Sequence, residues 1–255
     1  MENKIKDGLK TDFIGQNIVY VEETTSTNTL AKNNTDCVDG TVFIANSQTA
    51  GRGRMGREWQ SQKDVGIWMS ILLKPPLCAD DISKITLVAG IAICKAIGHG
   101  AKIKYPNDIV IGTKKVCGIL TELKQDKDGL NNVICGIGVN VNQVQFNGEL
   151  SNKATSLYET TKTKHNRALI TQKLLEEFEN VYTTFLNHGF SAIIDEYKSN
   201  CINIGREIKA TYNNKEIIGK CTDITENGEI VIDANGTLIK ISSGEVSVRG
   251  IYGYV

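Results

Sequence analysis

Residues 51–59, Gly51-Arg52-Gly53-Arg54-Met55-Gly56-Arg57-Glu58-Trp59, decide between two folds. They contain G-x-G-x-x-G and follow a predicted strand at 41–46, so a dinucleotide-binding turn is one reading. Such a turn must open a helix whose N-terminus receives the pyrophosphate. Here Gln60-Ser61-Gln62-Lys63-Asp64 leads into the apolar run 66–73, a second buried strand. No acidic residue stands plainly at a strand end ~20 residues on. The dinucleotide reading therefore fails. What remains is three arginines on a glycine backbone. Glycine permits close approach and positive φ, and arginine offers a planar donor fork suited to carboxylate and phosphate oxygens. The functional reading is an anion-binding loop that orders around a nucleotide; the plain one is a solvated basic turn or a nucleic-acid loop. No Walker A pattern occurs, so a nucleotide site here is not of the P-loop type.

Before this loop, residues 18–22 read as a strand, and Thr24-Thr25-Ser26-Thr27-Asn28 ahead of a helix-compatible run is a capping signal. After it, Asp80 and Asp81 open an apolar segment through Ile97, with Ile82, Ile85, Val88, Ala89, Ala92, Ile93 and Ala96 at helical spacing. Short strands are expected at 101–105, 108–111, 115–123 and 132–141, an amphipathic helix at 168–187 and a shorter one at 191–198. From about 203 the helical period disappears. Short runs such as Glu229-Ile230-Val231-Ile232 follow, separated by Asn227-Gly228 and Asn235-Gly236, the strongest short hairpin signal. The chain is expected to divide into an α+β, mixed-sheet domain over 1–202 and a small barrel-like β domain over 203–255.

Lys plus Arg and Asp plus Glu each total 29, a formal net charge of zero. This excludes a protein that finds nucleic acid or anionic lipid by bulk positive charge, and leaves room for a local basic patch. No apolar run approaches the ~20 residues that span a bilayer. The N-terminus has lysines but no apolar h-region, so secretion is not expected. The 7 cysteines are scattered without a C-x-x-C pair, and His99, His165 and His188 form no H-E-x-x-H. Free thiols in a reducing cytoplasm, and no metal site, are expected.

Two further clusters stand out. Lys104-Tyr105-Pro106-Asn107-Asp108 reads first as a turn between two strands. Lys114 and Lys115 close the next turn, where lysines are ordinarily just solvated. Cys135-Gly136-Ile137-Gly138-Val139-Asn140 is an apolar strand whose two glycines invite close approach on one face. Asn140 either presents its amide to a base edge or satisfies backbone groups.

Thr25-Ser26-Thr27-Asn28, Gln48 with the Gly51–Trp59 loop, Lys104–Asp108, Lys115 and Gly136–Asn140 resemble, in order and spacing, the biotin–protein ligases. The resemblance runs from about residue 18 to the end. It implies an α+β catalytic domain of the biotin/lipoate–protein ligase type with a small SH3-like C-terminal barrel, and a monofunctional enzyme without an N-terminal DNA-binding domain. It implies two steps. Biotin's carboxylate attacks the α-phosphate of ATP, with Mg²⁺, giving biotinyl-5′-AMP and pyrophosphate. A lysine of a biotin carboxyl carrier protein, part of acetyl-CoA carboxylase or a related enzyme, then takes the biotinyl group and AMP leaves. Ser26, Thr27, Asn28 and Gln48 would recognise biotin's polar end, with Gly51, Arg52, Gly53, Arg54 and Gly118 around it. Arg52, Arg54, Arg57, Trp59 and Asn107 would meet the adenylate, and Asn140 the adenine. Lys115 would contact both carboxylate and phosphate. Glu245 and Arg249 match a C-terminal pattern linked to ATP use. Lys115, Arg54 and Asp108 are the implied catalytic set. Tyr105 stands where Trp is common. The family's habit of pairing through sheet strands also admits a homodimer; neither nucleic acid nor membrane is an expected partner.

Charge arithmetic agrees with such chemistry. A carboxylic acid titrating near ~4 is already ionised at pH 7. Step one therefore needs no strong base; it needs two anions held together, which Lys115 and the arginines supply. A free lysine, with a pKa near ~10.4, arrives protonated at step two, and Asp108, if it projects beside the anhydride, would accept or orient that proton. The rivals are a lipoate– or octanoate–protein ligase and a DNA-binding repressor. The polar set at 26–28 and 48 favours a ureido ring over an apolar dithiolane, which would leave those groups unpaired. No recognition helix is visible before Thr24.

Overall fold

The apolar strands over 42–48, 66–73 and 131–140 lack polar alternation, as strands buried on both faces do. In the computed structural model, which describes residues 1–125, 131–146, 148–212, 215–243, 246–250 and 254, they lie inside a mixed seven-stranded sheet. Its strands are β1 (Ile18–Thr24), β2 (Val42–Gln48), β3 (Gly66–Leu73), β4 (Lys102–Lys104), β5 (Asp108–Ile111), β6 (Lys114–Gln125) and β7 (Asn131–Asn140). The order is β1-β2-β3-β7-β6-β5-β4, with β1 and β2 parallel and the other pairs antiparallel.

The N-terminal helix α1 (Glu2–Lys6) is tied to the rest of the chain by Gln172, whose amide donates to Lys4 O and Ile5 O. Helix α2 (Thr27–Lys32) covers one face of the sheet, setting Ala31 on Phe43, Leu72 and Ile134. The opposite face carries α3 (Ala79–Ile82), α4 (Ile85–Ile97), α6 (Arg167–His188) and α7 (Ile194–Asn200); α5 (Leu157–Thr161) precedes α6. α4 is buried nearly all round, as expected of a helix apolar on every side.

The single helix expected from Asp80 is two. Lys84 N–H donates to Asp81 O (3.0 Å), an i→i+3 turn that sets Ile82 and Ile85, three apart, on the same buried face. The short helices α1 and α5 carried no periodic signal.

The second sheet is antiparallel: β8 (Glu207–Tyr212), β9 (Lys215–Ile224), β10 (Ile230–Ala234), β11 (Thr237–Ile241) and β12 (Ser247–Gly250), in the order β11-β10-β9-β8-β12. Asn235-Gly236 makes the expected two-residue turn, with φ of 55° and 86° and Ala234 paired to Thr237. Asn227-Gly228 does not. It lies in a five-residue connection closed by Thr225 N–H to Glu229 O, and of the two only Gly228 takes positive φ. Ile208, Ala210, Ile224, Ile232 and Val248 belong to the same buried cluster as α4, so the two sheets share one core.

Candidate active site

Between β2 and β3 the chain makes a loose hairpin, with bridge pairs Gln48–Ser61 and Arg52–Glu58 and with Trp59 N–H donating to Gly51 O (2.9 Å). Its tip places Met55 and Gly56 in the left-handed region. Only a short 3₁₀ turn, Arg54–Gly56, interrupts it, so no helix opens after the glycines and the rejection of a dinucleotide turn holds. Glycine is required at 51, where a Cβ would lie 2.3 Å from Trp59 O.

Beneath this loop is a cavity of about 620 Å³, floored by β6 and β7. That volume suits a small molecule. The two glycines of 135–140 do receive a close approach. A Cβ on Gly136 would sit 2.1 Å from Asn28 Oδ1, and one on Gly138 2.5 Å from Trp59 Nε1. Gly118 lies under Trp59 and Lys115 in the same way.

One end of the cavity is polar and buried. Ser26, Thr27 and Asn28 are 3–4% exposed. Thr27 N–H donates to Gln48 Oε1 (2.8 Å), and Gln48 Nε2 donates to Ser61 Oγ (2.6 Å). Ser70 Oγ lies 2.6 Å from Asn28 Oδ1 and 2.7 Å from Thr27 Oγ1. Its single proton serves Asn28, and the Thr27 hydroxyl donates in turn. Asn28 Nδ2 reaches Leu120 O (3.1 Å) and Glu122 Oε2 (2.8 Å).

The other end is charged. β6 carries a bulge: Val110 pairs with Lys115 but Ile109 with Cys117, leaving Val116 extra. A bulge re-aims side chains, and Lys115 turns into the cavity, its ammonium 2.5 Å from Asp108 Oδ1 and 5.0 Å from the Trp59 ring centre. The contact with Asp108 is an ion pair off the axis of an aligned hydrogen bond. The Tyr254 hydroxyl donates to Asp108 Oδ2, and Lys104 Nζ stands 3.9 Å from that oxygen. Burial pushes the Asp108 carboxyl up, but Lys115 and Lys104 outweigh it and hold it below the usual carboxylate range. Burial also drives the Lys104 ammonium down to about 8 against the pull of Asp108. Lys104 donates to Val248 O (2.8 Å) and lies over the Tyr254 ring.

The structure brings most of the expected residues to this one cavity: Ser26, Thr27, Asn28, Gln48, Arg52, Gly53, Arg54, Arg57, Trp59, Asn107, Asp108, Lys115, Gly118, Asn140 and Arg249. Glu245 lies outside the described residues. Arg54 donates to Asn107 Oδ1 (3.1 Å) and to Ser243 O and Val246 O (3.0 Å each), tying the loop to the second sheet. Asn140 lines the cavity with its amide engaged: Nδ2 donates to Thr155 O (3.1 Å) and Oδ1 accepts from Gln143 Nε2 (3.3 Å). Trp59 Nε1 and Gln143 Oε1, both buried and facing this region, have no hydrogen-bond partner among the described residues.

Ser61, Ser70, Glu122, Gln143 and Tyr254 escaped sequence reading. Only Ser70 left a readable signal, a hydroxyl inside the apolar run 66–73. Among the described residues no group of three His, Cys, Asp or Glu side chains converges to hold a metal.

A mixed-sheet pocket with a polar end, a cationic end and a glycine–arginine loop over it suits a small molecule that carries both polar groups and negative charge. Comparison with known proteins makes the class specific. The Biotin/lipoate A/B protein ligase family profile matches residues 20–140, and the Biotin protein ligase C terminal domain profile matches 204–249. The "Bifunctional ligase/repressor BirA" of Bacillus subtilis is 38% identical over 255 residues, covering 97% of this chain and 78% of that protein. The "Biotin--[acetyl-CoA-carboxylase] ligase" of Mycobacterium tuberculosis is 30% identical, covering 82% and 79%. The structure of the Aquifex aeolicus biotin protein ligase in complex with biotin and ATP superposes with a TM-score of 0.83 at 32% identity, covering 92% of this chain and 99% of that one. The chain belongs to the biotin/lipoate A/B protein ligase family.

Proposed function

We propose that the protein is an ATP-dependent biotin–protein ligase. A biotin carboxylate oxygen attacks the α-phosphorus of ATP and pyrophosphate leaves. The amine of a lysine on a biotin carboxyl carrier protein then attacks the acyl carbon, AMP leaves, and the amine loses its proton. The supporting observation is one cavity that joins the buried Thr27 and Asn28, with Gln48 beside them, to Lys115, Arg57 and Arg249. Its buried indole N–H and amide oxygen are free for a ligand that carries both acceptor and donor.

In this reading Ser26, Thr27, Asn28 and Gln48 pair with the ureido group, and Lys115 offsets the repulsion between carboxylate and triphosphate. Arg52, Arg54 and Trp59 close over both. Asp108, already engaged by Lys115 and Tyr254, is a weak base; it orients Lys115 and the incoming amine. Among the described residues no group of acidic side chains converges to hold a cation, and Mg²⁺ would come to the site held mainly by the phosphates of ATP. Residues 1–202 would be the catalytic unit and 203–255 the SH3-like one. The free cysteines fit a reducing cytoplasm, and among the described residues no helix is long and apolar enough to cross a membrane. A homodimer through the catalytic-domain sheet belongs to the same proposal.

The test incubates the protein with ATP, Mg²⁺ and a carrier domain, with biotin or lipoate in parallel, and weighs the carrier by mass spectrometry. A biotinyl mass increase is expected. A lipoyl increase without a biotinyl one overturns the reading.

A further inference from the structure

A single carboxylate joins the polar end of the pocket to the loop that covers it. We propose that Glu122 is a positioning residue that couples ligand occupancy at Thr27–Asn28–Gln48 to closure of the 49–60 loop. The choice of biotin as probe rests on the function proposed above.

Glu122 stands on β6 with its side chain 19% exposed. Its Oε2 accepts from both Asn28 Nδ2 (2.8 Å) and Arg52 Nη2 (2.9 Å), so a cradle residue and a loop residue share one oxygen. Oε1 is held separately by Lys32 (2.6 Å). From Glu122 the hydrogen bonds run without a gap through Asn28, Ser70, Thr27 and Gln48 to Ser61, where the loop returns to the sheet. The relay therefore begins on the loop at Arg52 and ends at Ser61, where the loop rejoins the sheet. Beside the loop lies a cavity of about 390 Å³, lined by Arg52, Met55, Leu120 and Glu122 among others. The Arg52 side chain is 42% exposed, and alone such a pair would contribute little. Sharing Oε2 with a buried amide is what gives it leverage. A ligand that changes the partners of Asn28 moves the oxygen on which Arg52 rests.

The readout is hydrogen–deuterium exchange of the peptide spanning the loop, with and without biotin, beside calorimetric biotin affinity and thermal unfolding. In the native sequence biotin should slow loop exchange. Glu122→Gln should unfold at the native temperature, bind biotin about tenfold more weakly, the weight of one hydrogen bond to a charged group, and lose most of the biotin-dependent protection. Arg52→Gln should lose the same protection, and decides the matter if the Glu122 variant fails to fold. Lys32→Met, which removes a Glu122 partner that does not touch the loop, should leave loop exchange as it was. Native protection in Glu122→Gln, or in Arg52→Gln, overturns the proposal, and so does an equal loss in Lys32→Met. If biotin does not bind the native chain at all, the proposed function fails instead. Loop exchange without ligand then decides the coupling: faster in Glu122→Gln supports it, unchanged overturns it.

Discussion

At Asp108 a buried carboxylate meets two ammonium groups and a phenol, and its ionisation is worked into the fold. Because its carboxyl titrates below the usual range in the native state, the unfolded chain binds more protons near pH 4. The pair stabilises fully above the unfolded value of ~3.9 and is lost as pH falls through the depressed native value. Urea unfolding should show Asp108→Asn less stable than the native chain by about 3 kcal/mol at pH 7. The gap should close as the pH drops below ~4. Equal stability at pH 7 would remove the ion pair from the account. Lys104 gives a slope of the same sign at higher pH. Burial lowers its ammonium to about 8, so between there and ~10.4 the unfolded chain again binds more protons. Stability relative to Lys104→Met should therefore rise with pH across that window. Of these groups, Lys104, Asp108 and Lys115 were visible as a motif. Tyr254 was not, because the residue that completes the cluster is 146 positions away in sequence.

At the scale of elements, the glycines of β7 show how a strand makes a site. Gly136→Ala places a methyl 2.1 Å from Asn28 Oδ1, against a buried side chain fixed at both ends of its amide. Asn28 must shift, and with it the polar cradle. The KM for biotin should rise at least about tenfold, the cost of one displaced hydrogen bond to a buried group, while the protein stays folded. A native KM would show that Asn28 yields without consequence. The central strands β2, β3 and β7 were legible because burial on both faces makes most of their length continuously apolar. The five-residue helices α1 and α5 were not, since so short a helix forms only when packing holds it. Lys115 shows the limit within a strand: alternation does not predict its inward turn, which depends on the bulge at Val116.

For the whole molecule, the second sheet takes part in the site rather than merely following it. Lys104 donates to Val248 O, Tyr105 OH to Gly228 O (2.9 Å), and Arg54 to Ser243 O and Val246 O. Tyr105 and Arg54 thus fasten the same two bodies at different points, and a pair of conservative variants separates mere attachment from use. Tyr105→Phe keeps the ring and loses one buried hydrogen bond, so it should cost about 1 kcal/mol of stability and leave the rate of adenylate formation nearly native. Arg54→Lys keeps the charge but not the planar fork that meets Asn107 and two carbonyls at once. The loop then loses its hold on the second sheet, and adenylate formation, followed by pyrophosphate release, should fall about a hundredfold, the order expected when a charge-stabilising group is displaced. The melting temperature should move no more than for Tyr105→Phe. If both variants form adenylate at the native rate, the second sheet is only attached to the active site. If Tyr105→Phe is as inactive as Arg54→Lys, the effect is one of sheet packing and not of the arginine's aim.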